Sequence, residues 1–171
     1  MKVDKKRTSS ILNPICRGMV GYVSYLASCS CSQVYSEYLL YEPILRIAQS
    51  KGYSVNCEYP ININGTKNGK VGDHKRIDFD LFRKKGRCQE RIGIEVKWAK
   101  SKSIDLDNDI NKLETYAKKN KKSSGYVVVF GKTANIDNLK ITNNQKPLSK
   151  GTSVTWKAGK TSYSAKWYRF I

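Results

Sequence analysis

Three side chains with chemical potential stand at a telling spacing: Asp78 in "KRIDFDLF", and Glu95 and Lys97 in "RIGIEVKWA". The second of these segments alternates. Ile92, Ile94, Val96 and Trp98 share one face of an expected strand, and Gly93, Glu95 and Lys97 share the other. In the first segment Ile77, Phe79 and Leu81 share a face, with Asp78 and Asp80 opposite. Pairing of the two strands through "RKKGR" at 83–87 brings Asp78 beside Glu95. Two carboxylates held together near the middle of a sheet repel each other. A divalent cation resolves that conflict, and hard oxygen ligands select Mg²⁺, with Mn²⁺ as a substitute. Lys97, one strand step away, can orient or deprotonate a water on the metal, or offset charge growing on a phosphate. The plainer alternative is a salt bridge, Glu95 with Lys97 or Lys75, on a solvated sheet face.

Other polar residues bear on the same region. Glu37 lies three, seven and eleven positions before Leu40, Ile44 and Ala48, which puts it on the buried stripe of an expected helix, where a carboxylate needs a partner. Glu42 falls off that stripe and is expected to be solvated. Asp80 is a second-metal candidate, but a salt bridge to Arg76 or Lys85 is favoured. Glu58 shares the polar face of an earlier strand with Ser54 and Asn56, and either joins the site or holds a lysine. His74, the one histidine, reads as a loop residue. Lys112 reads as a solvated helix residue, with phosphate contact as the alternative.

These residues need elements to position them. Residues 1–13 read as a mobile basic arm, and 14–32 as a short helix or turn interrupted by Gly and Ser. A helix follows, capped by Ser32 or Ser36 and ended by Gly52, with Pro43 forcing a kink or a new first turn. Strands are expected at 53–61, 75–82 and 88–99, with a hairpin loop at 62–74. An amphipathic helix spans 104–119, capped by Asp105 or Asp107. The run "GYVVVFGK" at 125–132 is a buried strand. The remainder, 133–171, holds loop and weak strands near 152–157 and 163–170. The expected fold class is therefore α/β, a mixed central sheet flanked by helices.

An acidic residue on a first helix, then "RID", a short hairpin and "IEVK" resembles the PD-(D/E)xK nuclease superfamily, the restriction-endonuclease-like fold with an αβββαβ core. The resemblance covers about residues 32–132. It implies Asp78 as the motif aspartate, Glu95 and Lys97 as the E-x-K pair, Glu37 as the helix carboxylate, and the Val96 carbonyl as a further metal ligand. It implies Mg²⁺-dependent hydrolysis of phosphodiester bonds, mostly in DNA. Ile77 stands where the proline of the motif's name would be.

The composition fits a nucleic-acid partner. Among 171 residues, 32 Lys and Arg face 14 Asp and Glu, a formal charge of +18 that self-repels in a compact fold and favours a polyanion. "KKNKK", with Lys118, Lys119, Lys121 and Lys122, is the sharpest cluster and the expected phosphate grip. After Asp137 the chain carries no acid, and Trp156, Tyr163, Trp167 and Tyr168 alternate with its cations. These aromatics read first as strand residues, and second as base-stacking surfaces. Five cysteines without a CxxC pair suit reduced thiols in a cytoplasmic protein. No apolar run reaches membrane-spanning length, and no secretory leader is expected. DNA cleavage is the leading activity. A nuclease toxin acting on tRNA and a non-catalytic basic binding protein are the alternatives, and a homodimer could supply cutting specificity.

Overall fold

A computed structural model describes residues 5–29, 36–61, 75–86, 88–158 and 161–171. His74, Cys31 and the 62–74 loop fall outside the described residues.

The chain begins with helix α1, Lys5–Ser28. Residues 5–13 of the expected arm thus belong to this helix, and residues 1–4 lie outside the described residues. Ile11, Ile15, Met19 and Val23, with Leu12, Cys16 and Val20, form one buried stripe that runs across the boundary drawn at residue 13. Burial pushes the Cys16 thiol up to about 12, so it behaves as a small hydrophobe. Cys16, Cys57 and Cys88 are free thiols. Among the described residues no helix is long and apolar enough to cross a membrane.

Glu37–Leu40 form a single 3₁₀ turn, with the Ser36 hydroxyl accepting from the Tyr38 N–H. Helix α2 follows at Tyr41–Ser50, with Pro43 in its first turn, where a missing N–H costs nothing. Strands β1 (Ser54–Pro60), β2 (Arg76–Lys85) and β3 (Cys88–Ala99) come next, then a short β4 (Ser103–Ile104). Helix α3 covers Asp107–Lys119 and β5 covers Ser124–Lys132. Asp105 accepts from the Asp107 N–H at the entry to α3. The last part holds α4 (Thr133–Ile136), β6 (Lys140–Ile141), β7 (Ser149–Lys150), β8 (Val154–Ala158) and β9 (Thr161–Arg169).

One seven-stranded sheet has the order β1-β2-β3-β5-β9-β7, with β8 also on β9. It is mixed: β2–β3 is antiparallel, β3–β5 is parallel across the α3 crossover, and β5–β9 is antiparallel. The fold class is α/β, as expected. The parallel centre is buried on both faces. Val128 and Phe130 face α1 and α2, and Val127 and Val129 face α3. Of the C-terminal aromatics, Trp167 and Tyr168 are buried, Tyr163 is partly buried, and Trp156 is 61% exposed. Gly93 is required under α3, because a Cβ there would stand 2.7 Å from the Tyr116 ring.

Candidate active site

The β2–β3 ladder runs from Lys85↔Cys88 to Phe79↔Ile94 and stops there. Beyond it the Asp78 carboxylate takes the place of a strand partner, and its Oδ2 accepts from the Val96 N–H at 2.6 Å. This contact turns the backbone, and it corrects the simple alternation expected for β2. Phe79 and Leu81 pack toward α1, whereas Ile77 packs on the α3 face. A strand residue's N–H and C=O point the same way, so the Val96 carbonyl faces the edge that β2 has left. Two residues further on, Glu37 Oε1 accepts from the Trp98 N–H at 2.9 Å. Glu37 reaches this edge from a 3₁₀ turn and is half-buried, rather than lying on the buried stripe of an α-helix.

Asp78 has other company. The Tyr41 hydroxyl lies 2.7 Å from Glu58 Oε1 and 2.9 Å from Asp78 Oδ1, so one proton serves two carboxylates. Burial holds the Asp78 carboxyl above its ordinary value, despite the hydrogen bonds from Val96 and Tyr41. Glu58 lies between the Cys57↔Phe79 and Tyr59↔Ile77 pairs of the β1–β2 register and takes a left-handed backbone, φ 51°. That conformation costs a non-glycine residue about 1 kcal/mol or more, and such strain gathers at functional sites.

Glu95 and Lys97 project from β3 toward α3. Glu95 is 1% exposed, and Lys112 Nζ bonds both of its oxygens at 3.0 and 3.3 Å. Burial, then repulsion from Asp78, pushes the Glu95 carboxyl up to about 9 against the pull of Lys112. Lys97 Nζ pairs with Asp109 Oδ1 at 3.2 Å. Burial alone would lower the Lys97 ammonium, but Asp109, then Glu37 and Glu95, outweigh it and hold it above the usual lysine value. Asp109 sits in the first turn of α3, where the helix dipole favours a carboxylate. Lys112, one helix turn on, is partly buried and contradicts the solvated reading. Asp109 carried no signal in the sequence beyond its i,i+3 spacing to Lys112.

Asp80 is fully buried and does make a salt bridge, but its partner is Arg91, which grips it through two bonds of 2.7 and 2.8 Å. Tyr116 and Asn56 donate to it as well. Burial opposes its charge, but these donors outweigh burial and keep the carboxyl below its ordinary value. With its lone pairs engaged, it is a structural anion beneath the site.

Among the described residues no group of three His, Cys, Asp or Glu side chains converges as a metal cage. Asp78 and Glu95 with the Val96 carbonyl form a set of the kind Mg²⁺ accepts, since it is commonly held by one or two carboxylates and keeps its waters.

The chain was compared with family models, curated proteins and solved structures. None matches it.

Two groups of exposed cations bear on the site. Lys118, Lys119, Lys121 and Lys122 are exposed, at the end of α3 far from Asp109. Nine helical steps separate Asp109 from Lys118, about 14 Å of rise. Lys119 Nζ lies 5.4 Å from the Tyr59 ring. Nearer the site, Lys100, Lys102, Lys132 and Lys140 are exposed where β3 and β5 end, and Ala99↔Gly131 and Lys102–Lys140 contacts join their segments. Among the described residues none of these four makes a salt bridge. A cavity of about 580 Å³ lined by Tyr126, Lys150, Trp167 and Arg169 contains none of the carboxylates.

Proposed function

We propose that the protein is a metal-dependent nuclease with a restriction-endonuclease-like core, hydrolysing phosphodiester bonds of nucleic acid, with DNA as the first substrate. The observation that carries this reading is the electrostatic coupling of Asp78 and Glu95 where the β2–β3 ladder ends, with the Lys97 ammonium on the same strand as Glu95. The sheet order β1-β2-β3-β5 and the α3 crossover between parallel β3 and β5 support the fold assignment. Asp78, Glu95 and the Val96 carbonyl would hold Mg²⁺ or Mn²⁺. The bound cation would supply Lewis acidity and a pre-oriented water. Lys97 stays protonated, so its contribution is charge: it faces the negative charge that grows on the phosphate oxygens. Asp109 and Glu37 keep that ammonium in place. Lys100, Lys102, Lys132 and Lys140 flank the backbone of a bound strand.

A second reading has its own support. Lys112 satisfies Glu95 so well that the cluster could be a buried ion network inside a basic binding protein. Incubation of supercoiled plasmid, single-stranded DNA and tRNA with Mg²⁺, Mn²⁺ or EDTA separates the two readings. Nuclease function predicts metal-dependent cutting by the wild type and none by Glu95→Ala. Binding without cutting, equal in wild type and variant, would leave the binding protein.

A further inference from the structure

We infer that Lys112 is an internal counter-cation that occupies the divalent ion's place beside Glu95, and yields it by crossing to Asp109. The inference rests on the metal-dependent reading above. Lys112 Nζ lies within hydrogen-bonding distance of both Glu95 oxygens and 3.8 Å from Asp109 Oδ1. Its charge also acts on Asp78. An ammonium and a divalent cation cannot both lie against the same two carboxylate oxygens, because they repel and compete for the same lone pairs.

Asp109 makes the exchange feasible. It stands one helix turn from Lys112 on α3, is 4% exposed, and already holds Lys97 at 3.2 Å. A shift of the flexible lysine stem moves Nζ from Glu95 to Asp109 without moving the helix. The ammonium is not lost to solvent. It stays beside Lys97, so that two cations and the metal face a phosphodiester. In the absence of metal the same lysine occupies both Glu95 oxygens and spares the sheet a buried carboxyl without a partner. Asp109 is thus a positioning residue with two tasks, anchoring Lys97 and receiving Lys112.

The test uses Mn²⁺ alone as the probe. Free Mn²⁺ is followed by electron paramagnetic resonance in titrations of the full chain, wild type and Lys112→Met, after melting curves have established that both are folded. The expected result is that Lys112→Met binds at least about fivefold more tightly, the scale of a direct coupling between two occupants. A crystal structure of the wild type with Mn²⁺ is expected to show Lys112 Nζ on Asp109 and off Glu95. Equal affinities, or Mn²⁺ between Asp78 and Glu95 with Lys112 still on Glu95, overturns the exchange and leaves the metal site standing. No Mn²⁺ uptake by either protein overturns the metal site itself, and the exchange with it.

Discussion

At the scale of single residues, the site is decided by what each charge leans on. Lys97 leans on Asp109, which fixes it as a cation. Cleavage is therefore expected to show no fall between pH 7 and pH 9 from lysine deprotonation, and Lys97→Arg should retain more activity than Lys97→Gln, measured as initial plasmid-nicking rates across that range. Glu95 behaves oppositely. Folded, it keeps its proton up to about 9, whereas an ordinary glutamate releases it near 4.5. Between those values the folded chain binds more protons than the unfolded one, so metal-free stability must fall as pH rises, by at most about 1.4 kcal/mol per pH unit. Urea midpoints in EDTA at pH 6 and pH 8.5 should show that fall, and Glu95→Gln should flatten it. Of these residues, Glu95 and Lys97 were readable as sharing a strand face, whereas Asp78 was readable only as the residue that the short turn carries back toward Glu95. Tyr41, Asp109 and Lys112 were not. Their roles depend on how a helix lies across a sheet, and sequence spacing gives no such distance.

At the scale of elements, the strands 53–61, 88–99 and 125–132 were readable because their apolar residues alternate or run unbroken. Helix α1 was hidden. Its stripe of Ile11, Ile15, Met19 and Val23 was divided between a basic segment and a Gly- and Ser-containing one, although the helix runs on through Pro14. The stripe is core, and Ile15→Ala should cost about 2–5 kcal/mol in urea denaturation. The break at Asp78 was equally invisible, since alternation predicts a regular strand until a side chain claims a backbone partner. Gly93 serves the opposite purpose, a flat place on β3 over which Tyr116 reaches Asp80. Gly93→Ala forces the ring aside and should lower stability by about 1–3 kcal/mol, read from thermal unfolding.

At the scale of the whole molecule, the net charge of +18 was plain in the composition, but its arrangement was not. The most obvious run, Lys118–Lys122, ended at the far end of α3 because a helix separates it from the carboxylates. Lys100, Lys102, Lys132 and Lys140, scattered in sequence, converge because β3 and β5 are parallel and finish together. If these four line the bound backbone, replacing all of them with Ala should reduce the slope of log affinity against log salt by about 3–4 on duplex DNA. Replacing Lys118, Lys119, Lys121 and Lys122 should reduce it less. Fluorescence anisotropy at several salt concentrations measures both.

The same long-range closure orders events in time. Helix α1 packs against β8 and β9, and the Asn13 amide oxygen accepts from the Trp167 indole N–H across 154 positions of chain. Strand β5, the centre of the sheet, has β9 as its neighbour on one side. Although α2 covers part of the α1 stripe, neither the remainder of that stripe nor that edge of β5 can be covered until the segment near residue 165 arrives. Assembly is therefore governed by a late, entropically costly loop closure, and the chain spends its folding time with part of the α1 stripe and its central strand edge exposed. A refolding experiment should find these two surfaces protected together, in the slowest phase, and should find aggregation competing with that phase as concentration rises.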